Sequence, residues 1–285
     1  AVLAFGDLGS REMTLNSDLD LMLLYDFEGS ESDGSRPLDA DTYYARFCRR
    51  LTAALTAETG EGGLYRIDMR PRETGSSGPL ACSLPAFLDY PHDRAEAPEL
   101  AALRRARVVW SEDGLGERFE EAKRAVLAAP RPAGPLAAGL VPVRGQRDEA
   151  GDDLWAIEHM AGGLRDVAAA ADFLRLLHAA ERPSILDGDA PAVFQAAQAL
   201  GSIGAGAAED LEEAAHLWRN LWGLAQLAVD GNLVGEAAGP ELMSVIGRSG
   251  GKLVVEALSD SVQDIAARAA GHVDAILGPD GTGGP

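Results

Sequence analysis

The chain has 285 residues, 46% of them apolar, and its formal net charge is −20. That length builds one large domain or two moderate ones, and so acidic a balance argues against a nucleic-acid partner, which would normally meet a basic patch. Cys48 and Cys82 form no Cys-x-x-Cys or Cys/His cluster, no apolar run reaches the ~18 residues of a membrane span, and no signal peptide precedes the first element, so the chain is read as soluble, cytoplasmic and free of zinc and disulfides.

Residues 1–5 read as a short apolar strand, 6–10 as a turn and 11–15 as a helical turn. Residues 19–25 form an apolar run broken only by Asp20, the pattern of a buried strand. The Gly, Ser and acidic residues of 28–40 mark an exposed loop. Helical spacing follows over 41–59, with Tyr44, Phe47, Leu51, Ala54 and Leu55 on one face and Asp39 or Asp41 as cap. Residues 64–70 alternate Leu64, Arg66, Asp68 and Arg70 against Tyr65, Ile67 and Met69, a strand with one polar face. Short helices are expected over 85–89 and 96–110, and a longer one over 115–128. The composition of 129–153, first rich in Pro, Ala and Gly and then polar, reads as a linker. Helices over 163–180, 190–200, 207–229 and 252–277 complete the reading. The domains expected are thus 1–128, a linker over 129–153, a helical domain over 154–277 and a disordered tail over 278–285. The chain starts without Met on a strand-like stretch, so a fragment of a longer polypeptide is expected; its flexible end is read as a natural C-terminus.

Gly9-Ser10, followed by Ser17-Asp18-Leu19-Asp20, carries the chemistry. Carboxylates at i and i+2 of a strand point to one face. The Gly-Ser turn before them presents backbone N–H groups suited to phosphate. If the strand bearing Asp68 lies beside this one, three carboxylates converge, a set of hard oxygen donors suited to Mg²⁺. Arg70 and Arg72 are candidates for binding a triphosphate, or else surface residues. Glu12 orients the turn or simply favours a helix N-terminus, and Ser17 contacts the nucleotide or satisfies a local backbone group.

Residues 5–26 closely resemble the active-site segment of the glutamine synthetase adenylyltransferase family, within the polymerase-beta-like nucleotidyltransferase superfamily. Further matches follow in order: Tyr43-Tyr44-Ala45-Arg46, Gly63-Leu64-Tyr65, and Asp68-Met69-Arg70 with Arg72 and Gly75. Beyond them come Gly78-Pro79-Leu80-Ala81, Arg105-Ala106-Arg107-Val108-Val109, and Gly162-Gly163-Leu164 with Asp166. The resemblance covers residues 1–177 and is most specific over 5–81. It implies an α+β fold, a polymerase-beta-like nucleotidyltransferase domain followed by an all-α helical bundle. It implies that Asp18, Asp20 and Asp68 hold two Mg²⁺ ions and that Gly9 and Ser10 contact the triphosphate of ATP, with Glu12, Ser17, Arg70 and Arg72 as further nucleotide contacts. The reaction implied moves AMP from ATP to a tyrosine hydroxyl of glutamine synthetase, in the regulation of nitrogen assimilation, with Asp68 the best proton acceptor. The PII signalling protein would act through regions outside this chain. Residues 9–14 and 17–21 resemble the C-terminal, adenylylating half of the family's two-part enzymes.

The sequence departs from the family at several points. Asp7 stands where Lys or Arg is usual, and Pro71 and Glu73 interrupt the run around Arg72. Residues 96–98 replace a Trp-rich segment, with Glu99 matching its acid. Glu158, Ala168 and Asp172 stand for Lys, Glu and Gln. The metal triad is intact, so the expectation is a diverged enzyme of weakened activity. The alternatives are a non-catalytic module that binds nucleotide or a partner, and the phosphorolytic, adenylyl-removing reaction.

Overall fold

The computed structural model describes residues 1–14, 16–60, 62–63, 65–69, 81–89, 95–144, 156–228 and 255–278. They form a mixed α+β structure of two compact units, Ala1–Ala95 with Glu99–Val126, and Glu96–Pro98 with Leu127–Pro285.

The first unit is built on a five-stranded mixed sheet. Its strands are β1 (Val2–Ala4), β2 (Leu19–Tyr25), β3 (Ile67–Asp68), β4 (Ala81–Ser83) and β5 (Arg107–Trp110). β1 lies between β5 and β2, antiparallel to both. On the other side of β2, two parallel partners succeed one another: β3 opposite Leu19 and Asp20, and β4 opposite Leu23 to Tyr25. Five helices accompany them: α1 (Gly6–Ser10), α2 (Ala40–Leu55), α3 (Leu84–Asp89), α4 (Ala97–Arg105) and α5 (Leu115–Leu127).

The period of two along β2 sorts the core into two layers. Leu19, Leu21 and Leu23 join Ile67, Met69 and Cys48 of α2 on one face. Met22 and Leu24 join Leu3, Phe5, Leu84 and Phe119 on the other. Asp20 belongs by alternation to this second face, at the end of the strand where the apolar layer stops.

The strand over 19–25 lies as expected, and Asp39 caps α2, its side chain accepting from Thr42 N–H at 2.8 Å. α2 stops at Leu55, with Thr56 closing its last turn. Its inward stripe is Tyr44, Cys48 and Leu51, whereas Phe47 and Leu55 are 44% and 48% exposed. Four local expectations are corrected. Residues 6–10 are a helical turn, and residues 11–14 hold no helix because Arg11 ends α1 in the left-handed region at φ 63°. The expected strand over 64–70 is reduced to Ile67–Asp68 among the described residues. The helix expected over 96–110 ends at Arg105, and β5 follows, because Val108 and its neighbours satisfy their backbone groups on β1.

The second unit is helical in its described residues: α6 (Ala133–Leu140), α7 (Leu164–His178), α8 (Ala190–Ala199), α9 (Ala205–Ala228) and α10 (Val255–Leu277). α6 lies within the stretch read as linker, and a 3-10 turn, Val141–Arg144, follows it. α7 touches α6, α8, α9 and α10 and is buried over most of its surface, Asp166, Asp172 and Arg175 included, the mark of a central helix. The Gly162-Gly163 motif starts it. Gly162 N–H donates to Asp166 at 2.9 Å, and Gly162 O accepts from Trp218 Nε1–H at 2.9 Å. Asp166 also takes both arms of Arg144, at 3.1 Å each, and Arg144 reaches on to Asp274 of α10 at 2.6 Å.

Two acids of this unit are paired locally. Glu158 accepts from Arg165 at 2.6 Å, and buried Asp172 accepts from Arg175 at 2.9 Å. No helix among the described residues is long and apolar enough to cross a membrane. The expected tail lies outside the described residues beyond Gly278.

Candidate active site on the β2–β3 edge

The register of β2 and β3 sets Asp20 directly opposite Asp68. In a parallel pair, opposite residues project from the same face, so backbone pairing alone puts these carboxylates side by side. The pairing is pinned from both flanks: Phe5 N–H donates to Asp20 O at 2.9 Å, and Leu19 N–H donates to Arg66 O at 2.8 Å. Asp18 precedes Asp20 by two residues, immediately before the strand. All three acids are half-buried at the rim of the second core layer.

Asp18 is held outward. Its Oδ1 accepts from Arg66 Nε–H at 2.8 Å, a pair exposed to 81% and 39% on its two side chains. Among the described residues, no three His, Cys, Asp or Glu side chains are gathered closely enough to hold a metal ion. The donor set is nevertheless the all-oxygen kind that hard divalent cations select. The β2–β3 register brings two of the three acids together, and the third, Asp18, is held in an exposed ion pair with Arg66.

α1 leads into the site. Gly6 sits at φ 50°, and a Cβ built there would run into the Asp20 carboxylate. Only glycine suits both the left-handed backbone and that close approach. Sequence reading missed Gly6, although its place just after an apolar strand was a usable signal. Gly9 is buried, and a Cβ there would meet the carbonyls of Arg105 and Ala4. The Ser10 hydroxyl turns back on its own helix, donating to Gly6 O at 3.1 Å. The Ser17 hydroxyl donates to Asp7 Oδ2 at 2.6 Å and accepts from Thr14 N–H at 2.9 Å. Asp7 is therefore tied to the segment that carries Asp18. Glu12 is exposed, and its N–H donates to Asp7 O at 2.9 Å. Arg70 and Arg72 lie outside the described residues.

Cysteine chemistry is disfavoured here, since burial pushes the Cys48 and Cys82 thiols up and keeps them protonated. At the far end of β2, Tyr25 donates to Asp41 at 2.6 Å and stacks on Tyr44. Burial, reinforced by Asp41, pushes the Tyr25 hydroxyl far up, so it stays protonated.

Residues 1–122 match the family model described as glutamate-ammonia ligase adenylyltransferase. Among known proteins, the chain is 39% identical over 284 residues to the bifunctional glutamine synthetase adenylyltransferase/adenylyl-removing enzyme of Rhodopseudomonas palustris (strain BisB5), covering 98% of this chain and 29% of that protein. The protein so named in Xanthobacter autotrophicus is 40% identical over 88% of this chain and 26% of its own length. That of Bradyrhizobium diazoefficiens is 41% identical, with the same coverage of 88% and 26%. The chain thus spans under a third of the curated relatives it matches. It carries a glutamate-ammonia ligase adenylyltransferase domain over residues 1–122 and corresponds, over 88–98% of its length, to part of a larger enzyme of this bifunctional kind.

Proposed function

We propose that this chain is the adenylylating half of such an enzyme, a polymerase-beta-like nucleotidyltransferase domain followed by a helical bundle. It transfers AMP from ATP to a tyrosine hydroxyl of glutamine synthetase. The phenolic oxygen attacks the α-phosphorus, the bond from that phosphorus to the bridging oxygen breaks, and pyrophosphate leaves. Asp18, Asp20 and Asp68 would hold two Mg²⁺ ions, which when bound lower the pKa of the attacking hydroxyl and neutralise charge on the leaving group. A tyrosine hydroxyl ionises near pH 10, so a proton acceptor is needed. Asp68 is the acid proposed for that role, and Asp20 is fixed beside it. Gly9 and Ser10 approach the triphosphate, and Gly6 leaves room for Asp20. Arg66, freed from Asp18, adds positive charge at the rim; Arg70 and Arg72 are proposed to do the same.

The single observation that carries this reading is the Asp20–Asp68 register on β2 and β3. The family domain over residues 1–122 and the relatives' names support the nucleotide and protein substrates. The test is incorporation of labelled AMP into purified glutamine synthetase with Mg²⁺ and ATP. Release of ADP from adenylylated glutamine synthetase in phosphate buffer, without incorporation, would instead assign the removing reaction. ATP binding with neither reaction would mark a non-catalytic module.

A further inference from the structure

The Gly9-Ser10 segment is carried on α1, a helix of five residues with no side-chain cap at its N-terminus. So short a helix does not hold itself together, because nucleation costs more than its few hydrogen bonds return. Something outside must seat it. Arg107, the first residue of β5, donates Nη2–H to Leu8 O at 2.9 Å and Nε–H to Gly9 O at 3.2 Å. These carbonyls belong to the C-terminal end of α1, where partners within the helix run out and a cation is favoured. Gly9 makes the second contact, its Cα lying against the carbonyls of Arg105 and Ala4. Ala4 is itself the register partner of Arg107 across β1 and β5.

The seat is anchored from behind. Lys123 of α5, buried, donates to Ala106 O at 2.7 Å and pairs with Glu120 at 2.6 Å. Glu120 Oε1 accepts from Val108 N–H at 3.4 Å. α5 therefore holds residues 106–108, and residues 105–107 hold α1.

We infer that Arg107 is a positioning residue for the nucleotide triphosphate. It acts through α1, keeping Gly9 and Ser10 in place relative to Asp18, Asp20 and Asp68. This rests on the nucleotidyl-transfer reading above. A guanidinium suits the task because its fixed fork spans two neighbouring carbonyls, which one ammonium cannot do with the same geometry.

The test is calorimetric titration of the full chain with Mg·ATP, together with amide exchange over residues 6–11, for wild type, Arg107→Ala, Arg107→Lys and Arg131→Ala. Arg131 also donates to two carbonyls, those of Leu127 and Ala129, and serves as the control. Arg107→Ala is expected to weaken ATP binding by about tenfold or more, as loss of two charge-assisted hydrogen bonds implies. Arg107→Lys is expected to recover part of the loss, and Arg131→Ala to bind like wild type. Exchange over 6–11 is expected to quicken in both Arg107 variants while that of β2 stays unchanged. In turnover, the KM for ATP rises ahead of any fall in kcat. Should Arg107→Ala fail to fold, Arg107→Lys decides alone, with binding weakened by about threefold or more. Wild-type affinity and unchanged exchange in the Arg107 variants overturn the inference. Failure of the wild type to bind Mg·ATP overturns the nucleotidyl-transfer reading instead, and the exchange data still report whether Arg107 seats α1.

Discussion

Asp20 and Asp68 stand opposite one another across the parallel β2–β3 pair, held there by backbone pairing. Two carboxylates side by side repel, and a bound cation would offset that repulsion. The arrangement is stable as protein structure because the apolar residues of the same strands, Leu19 and Ile67, point into the opposite layer and fix the register.

Gly6→Ala should damage this edge more than its surface position suggests. The new methyl collides with the Asp20 carboxylate and forces an L-residue to φ 50°. The backbone term alone costs ~1–2 kcal/mol. Denaturant unfolding should register that loss, and Mn²⁺ titration should show weakened metal binding. Wild-type behaviour in both would contradict the placement of Asp20 over Gly6.

Arg66→Ala should leave stability nearly unchanged, within ~0.5 kcal/mol, because the Arg66–Asp18 pair is exposed. It should raise Mg²⁺ affinity about two- to fivefold, the worth of a surface ion pair that no longer competes. Calorimetry with Mg²⁺ alone reads this. Unchanged or lower affinity would show that Arg66 does not compete for Asp18.

In the second unit, Arg144→Ala removes the guanidinium from Asp166, a residue only 1% exposed. Breaking a buried pair from one side costs ~3–5 kcal/mol. Thermal unfolding should show a correspondingly large loss, and Arg144→Lys should recover only part of it. A drop below ~1 kcal/mol would mean that the Arg144, Asp166 and Asp274 network contributes little.

His178 supplies a pH dependence. Burial pushes its imidazole below the ordinary value, with Glu181 opposing, and its Nε2 has no hydrogen-bond partner among the described residues. The native state therefore resists protonation and the unfolded state does not. Stability from this group is fully present above about pH 6.5 and is lost as pH falls through the lower native value. Urea unfolding of His178→Gln should lack that component, whose slope is at most ~1.4 kcal/mol per pH unit. An identical pH profile in the variant would contradict it.

Local pattern made β2 legible, since an apolar run of seven residues with one acid has few other readings. It also made the helices α7 to α10 legible, whose apolar spacing persists over several turns. β5 was hidden because Arg107–Trp110 becomes a strand only by pairing with β1, more than a hundred residues earlier. α1 was read as a turn because its two glycines suggest one, while the arginine that seats it lies 98 residues from Gly9. The Asp18, Asp20 and Asp68 set could be named from spacing and resemblance. The Arg66 pair and the contact of Gly6 with Asp20 required coordinates. The inward stripe of α2 was misread because Phe47 and Leu55 are apolar yet exposed, and Cys48 takes the core position.

The central claim is AMP transfer at the β2–β3 edge. Its most direct test is incorporation of α-labelled AMP from ATP into glutamine synthetase with Mg²⁺, comparing the wild-type chain with the Asp18→Asn, Asp20→Asn double variant. Both substitutions keep side-chain volume and remove charge, so folding should survive, as circular dichroism can check. Labelling by the wild type and its loss by a factor of about a thousand or more in the double variant is the predicted result. Equal labelling by the two proteins would contradict the account.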